Sequence, residues 1–291
     1  MAETINIGGV RYLNARPLVY GLEKEAGVNL RLEYPRALGP LLRSGEIDAA
    51  LLPAIEYFRL AAEGIERAWA HRPDAPEGGA ARGGAGPFLA MPTAAIGSRG
   101  AVGSVRLFGY TEPERVRRVL LDAASRTSNA LARVIAVRRL GISPHFVLPE
   151  EAAKAPTREP DAELVMGDPG LVAVRPKAQW ILDLGQEWER LTHLPFIYAF
   201  WVVRADVPLA RLSALLAAAR DRGLAAREEI AAASPTEFGV PVDVARRHLF
   251  EQVRYAFGPR ERGGLRAFYR MAAEEGLAPD GVRLQMARES E

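Results

Sequence analysis

The feature that most restricts this 291-residue chain is the alternation of short β-branched runs with helix-length segments from Thr4 to Ala62. Thr4 to Val10 reads as a strand, and after RYLNARP a helix over Leu18 to Glu25 is begun by Pro17. Asn29 to Tyr34 reads as a strand, Ala37 to Arg43 as a helix, Ile47 to Leu52 as a buried strand ending at Pro53, and Ala54 to Ala62 as a helix. Such alternation requires a mainly parallel sheet covered by helices. A stretch crowded with glycine, proline and alanine follows, His71 to Pro92, and it reads as a surface loop.

A second set begins near Thr93. Ala94 to Ile96 precedes the turn SRG, Val102 to Tyr110 resumes strand character, and Val116 to Leu121 is a further apolar run. Ser125 opens an amphipathic helix that closes at Gly141, where a C-cap favours glycine. His145 to Leu148, Glu163 to Met166 and Trp180 to Leu182 add strands, and Pro195 to Val203 is aromatic and β-branched enough for a long crossing strand. The remainder is helical over Pro208 to Arg222, Val242 to Phe257 and Arg260 to Glu275. Two such sets followed by terminal helices predict an α/β protein of two lobes joined by two crossings, near Thr93 and Ala205. The expected lobes are residues 1–94 with 205–291, and residues 95–204. A ligand would lie in the cleft between them, facing loops at the carboxyl ends of parallel strands.

Composition narrows the function. A formal charge of +2 gives no field for nucleic acid. The absence of cysteine excludes disulfides, thiolate nucleophiles and cysteine-ligated metals. His71, His145, His193 and His248 show no ligand spacing, so no metal or other cofactor is expected. The opening MAETINIGGVRYLNARPLVYG has no basic segment followed by an apolar one, and Leu194 to Val203 is too short to span a bilayer as a helix. These features predict a cytoplasmic protein with no membrane partner. The run GGAARGGAGP lacks the lysine and hydroxyl of a nucleotide-binding loop, and no Gly-x-Ser-x-Gly elbow appears.

Four segments, RYLNARPL, GEIDAALLPAIEY, ASRTSNAL, and MGDPGL followed by DLGQEWERLTHLPFIYAFW, resemble in their order and spacing the menaquinone-biosynthesis family that contains chorismate dehydratase. The resemblance implies a periplasmic-binding-protein-like fold of type II and the loss of water from chorismate to give 3-[(1-carboxyvinyl)oxy]benzoate. Two departures stand out: His193, where similar sequences usually carry glycine, and the long loop His71 to Pro92. A related family that makes 1,4-dihydroxy-6-naphthoate shares the fold, and a non-reacting anion-binding protein is the rival from another class.

Chorismate carries two carboxylates and a ring hydroxyl, so its site needs donors for anions and an apolar wall. Ser125, Arg126, Thr127 and Ser128 stand at the predicted helix N-terminus, whose amides and dipole favour an anion; Ser125 is equally an ordinary N-cap. Asn14, in the loop after the first strand, both donates and accepts, and suits an enolate or carboxylate as well as a turn. Tyr12 and Leu13 line the pocket or staple the loop. Ser98, at the first crossing, offers a hydroxyl, and Arg99 beside it a guanidinium. Glu56 and Asp168 are the acidic candidates for a general base, each also able to pair locally. Pro53, Pro195 and Phe196 are expected to shape the apolar wall.

Overall fold

The computed structural model describes residues 4–70, 87–154 and 159–287. Eleven strands occur among them: β1 (Ile5–Val10), β2 (Val28–Glu33), β3 (Ala49–Pro53), β4 (Phe88–Ser98), β5 (Val105–Gly109), β6 (Arg118–Leu120), β7 (His145–Val147), β8 (Ala162–Met166), β9 (Trp180–Asp183), β10 (Phe196–Arg204) and β11 (Val253–Arg254). They form two sheets, ordered β11-β4-β10-β3-β1-β2 and β7-β6-β8-β5-β9. In the first, β1 runs parallel to β2 and β3, while β10 runs antiparallel between β3 and β4. Every residue of β10 except Arg204 is buried, which explains its unbroken apolar run.

Two of the helices follow their sequence signals closely. Helix Pro35–Ser44 starts on a proline and buries Leu38, Leu41 and Leu42 on one face. Helix Arg126–Arg138 begins behind Ser125, whose side chain accepts the Ser128 N–H. The expected helix over Leu18 to Glu25 is instead a short helix, Arg16–Val19, and a 3-10 turn, Leu22–Lys24. Gly21 between them has φ 77°, a conformation that ends a right-handed helix. Val242 to Phe257 is also broken, into Val242–Arg247, a π turn over His248–Gln252, and β11. A helix not anticipated, Arg227–Glu237, precedes it with Pro235 inside.

β4 and β10 belong wholly to the first sheet, so the chain changes sheets between Ser98 and Val105 and again between Asp183 and Phe196. The expected loop His71 to Pro92 lies outside the described residues up to 86, and its end is strand: Phe88, Leu89 and Ala90 pair with Arg204, Val203 and Val202. Asp183 binds the two crossings together, accepting the N–H groups of Val102 (3.0 Å), Gly103 (2.6 Å), Gly185 (3.0 Å) and Gln186 (3.1 Å). An aromatic cluster of Trp188, Phe196, Tyr198 and Phe268 then packs the second crossing against the C-terminal helix Pro259–Glu274.

Candidate active site between the two sheets

β1 and β3 end, and β10 begins, along one edge of the first sheet, which faces the end of β8 and the first turn of helix Arg126–Arg138. A pocket of about 40 Å³ remains between them. Its apolar wall is Val10, Pro35, Pro53, Ile96, Val105, Met166 and Ala199, and its polar lining is Tyr12, Asn14, Ser104, Ser125, Ser128 and Tyr198. Asn14 stands out chemically: its side-chain Oδ1 is buried with no hydrogen-bond partner, a state that a native interior reserves for special cases. Its main chain is held in place, because the buried Tyr255 hydroxyl donates to the Asn14 carbonyl over 2.9 Å.

The two pocket tyrosines stay protonated. Burial raises the Tyr12 phenol, helped by the carboxylates of Asp122 and Asp168, and burial raises Tyr198 likewise, with the Asp183 charge adding to it. Both are therefore hydrogen-bond donors or acceptors rather than bases at neutral pH. Tyr12 closes against Gly167, where a Cβ would come within 2.9 Å of its ring and where φ is 73°, so glycine is required twice over. Ser98 does not line the pocket but stands behind it, its Oγ 3.3 Å from the Tyr198 hydroxyl.

Ser125 and Ser128 face the pocket while serving the helix. The Ser125 Oγ accepts the Ser128 N–H over 3.2 Å and donates to the Ser128 Oγ over 3.1 Å, so the N-cap reading and the cleft position are both realised. Thr127 and Arg126 turn elsewhere. The Thr127 Oγ1 accepts the Ile55 N–H at 3.1 Å, and the Arg126 guanidinium donates to both oxygens of Glu56 at 3.0 and 2.8 Å. Asp168 accepts the Leu13 N–H at 3.0 and 3.3 Å, and burial pushes its carboxyl up to about 7 against that bond's opposing pull. Glu56, Thr127, Arg126 and Asp168 thus form a seam that ties one sheet's lobe to the other's, beside the pocket rather than in its lining.

Pro195 and Phe196 also depart from expectation. Phe196 is buried in the aromatic cluster, and the apolar wall comes from the strand ends instead. Arg99 pairs with Glu189 at 3.5 Å outside the pocket. His193 is exposed at the C-cap of helix Leu184–Thr192, with φ 57°, and touches no cleft wall. Ser104, Tyr198 and Tyr255 are functional candidates that sequence reading passed over.

A family model described as menaquinone biosynthesis matches residues 5–65 and 84–274. The chain belongs to this family. The unmatched interval falls on the glycine-rich stretch that departs from the family pattern. A chorismate dehydratase of Thermus thermophilus is 26% identical over 279 residues, covering 90% of this chain and 93% of that one. Among solved structures, a structural-genomics protein of Archaeoglobus fulgidus superposes with TM-score 0.65 at 15% identity, covering 95% of this chain and 99% of the other. The periplasmic aliphatic sulphonate binding protein of Escherichia coli gives TM-score 0.63 at 17% identity, over 100% and 96% of the two chains. The fold of this family member is periplasmic-binding-protein-like, as the resemblance implied. No helix of the described residues is long and apolar enough to cross a membrane.

Proposed function

We propose that this chain is a chorismate dehydratase, a cytoplasmic hydro-lyase that removes water from chorismate to give 3-[(1-carboxyvinyl)oxy]benzoate. The observation that carries this reading is the near full-length similarity to a protein of that name, within a menaquinone-biosynthesis family. The cleft chemistry supports it. Asn14 offers a buried amide with an unused acceptor and its donors, Ser125 and Ser128 add hydroxyls at a helix N-terminus, and Tyr12 and Tyr198 are neutral donors beside an apolar wall.

In this proposal a proton leaves the ring carbon that bears the ether, and the electron pair spreads through the diene into the ring carboxylate as an enolate. Hydroxide then departs from the neighbouring carbon, takes a proton to become water, and the ring becomes aromatic. Fixed donors aimed at the ring carboxylate lower the barrier by stabilising that charge. Asp168 and Glu56 are engaged in the seam, which supports the substrate's own side-chain carboxylate as the base. No cofactor takes part in this scheme.

Mixing purified protein with chorismate and following product by mass spectrometry tests the proposal. Loss of one water, reduced at least about a hundredfold in Asn14→Ala and kept within about tenfold in Asp168→Asn, is the expected result. Tight binding of intact chorismate would favour the non-reacting anion-binding protein. Neither binding nor reaction would favour the 1,4-dihydroxy-6-naphthoate enzyme of the related family.

A further inference from the structure

Away from the cleft, a groove of about 660 Å³ opens where the bulged middle of β4 meets β11 and the start of helix Pro259–Glu274. Four arginines line it, Arg220, Arg227, Arg254 and Arg262, and no carboxylate does among the described residues. Arg220 is paired with Asp221 at 2.8 Å, but the other three spend their hydrogen bonds on main-chain carbonyls. Arg227 donates to Leu224 (2.9 Å) and Leu249 (3.4 Å), Arg254 to Val253 (3.1 Å) and Phe250 (3.4 Å), and Arg262 to Phe257 (3.3 Å). Carbonyl anchoring fixes a guanidinium without neutralising it, so three positive charges are held in place around one concavity.

Two further observations point to an occupant. Thr93 is among the lining residues, and its Oγ1 is buried with no hydrogen-bond partner. Phe250 lines the groove as well, with the Arg227 guanidinium stacked 4.2 Å over its ring. The volume falls in the range of small-molecule sites.

We propose that this groove is a second ligand site, which takes a small organic anion bearing at least two negative groups on a flat apolar body. It shares no lining residue with the cleft. Benzene-1,3-dicarboxylate is a suitable probe, with inorganic phosphate as the anion lacking an apolar body. Calorimetric titration of the full chain in low salt should show a dicarboxylate site that survives Asn14→Ala and weakens about tenfold in Arg254→Gln/Arg262→Gln. Phosphate should bind at least about tenfold more weakly than the dicarboxylate. Arg254 is exposed, so Arg254→Gln alone repeats the test without burdening the fold. Dicarboxylate binding that vanishes in Asn14→Ala, or that is unmoved by the arginine variants, would overturn the site. Equal affinity for phosphate would overturn the flat organic occupant.

Discussion

Asp168 holds its proton to a pH at which an ordinary aspartate has lost it, because burial outweighs the single N–H that its carboxylate accepts from Leu13. The sign follows from linkage: between the unfolded value of 3.8 and the folded value of about 7, the native state binds more protons than the unfolded chain. Stability from this group is therefore full below pH 4 and declines as pH rises to about 7, by on the order of 4 kcal/mol at most. Asp168→Asn removes the titration and keeps an oxygen for Leu13. Its melting temperature should match wild type near pH 4 and exceed it increasingly up to pH 8; a constant offset across that range would contradict the burial argument. His193 carries a different strain, as the only described non-glycine residue with positive φ. His193→Gly should stabilise the protein by roughly 0.5–1 kcal/mol in denaturant melts, since glycine occupies that region at no steric cost. The sequence pattern marked this residue as unusual. Its reason is a left-handed helix cap, the conformation that the glycine of similar sequences suits.

At the scale of elements, helix Arg126–Arg138 concentrates several roles in one turn: Ser125 caps it and faces the pocket, Thr127 holds Ile55, and Arg126 holds Glu56. Ser125→Ala removes the acceptor for the Ser128 N–H and should cost about 1 kcal/mol in chemical denaturation; a cost near zero would mean that another group takes over the cap. This helix was readable in advance because its signals are local, a capping serine, an apolar period and a closing glycine. β1, β3 and helix Pro35–Ser44 were readable for the same reason. Elements set by partners were not. Phe88 to Pro92 reads as the end of the glycine- and proline-rich stretch before it, yet belongs to β4 because β10 lies beside it. The segment after Arg247 has helical period, yet unwinds through a π turn so that Val253 and Arg254 can pair with Ser98 and Gly97. The site divides similarly: Asn14, Tyr12, Pro53 and Ser128 were named from motif position. Sequence shows that Glu56 and Asp168 are acids, but not that each already has a partner across the seam.

For the molecule as a whole, the pocket of about 40 Å³ has room for very few waters and none for a ring with two carboxylates. Entry of such a ligand calls for the lobes to part against ties that include Arg138 with Glu274 and Glu275, Leu13 with Asp168, Ile55 with Thr127, and Glu56 with Arg126. The last lies outside the pocket, so it can persist in both the empty and the filled closed forms. Its loss then cancels in the equilibrium between them and acts instead on how often the empty protein opens. The Arg126 side chain is 52% exposed, so solvent screens the pair and its contribution is only about 1 kcal/mol. Arg126→Gln should accordingly raise the association and dissociation rates of chorismate together by about fivefold, with Kd changed less than twofold. Stopped-flow binding at two salt concentrations checks this, because screening should reproduce part of the effect in wild type. An unchanged association rate would mean that release of Glu56 and Arg126 does not limit opening, and would leave the ties of Leu13, Ile55 and Arg138 as the points that govern it.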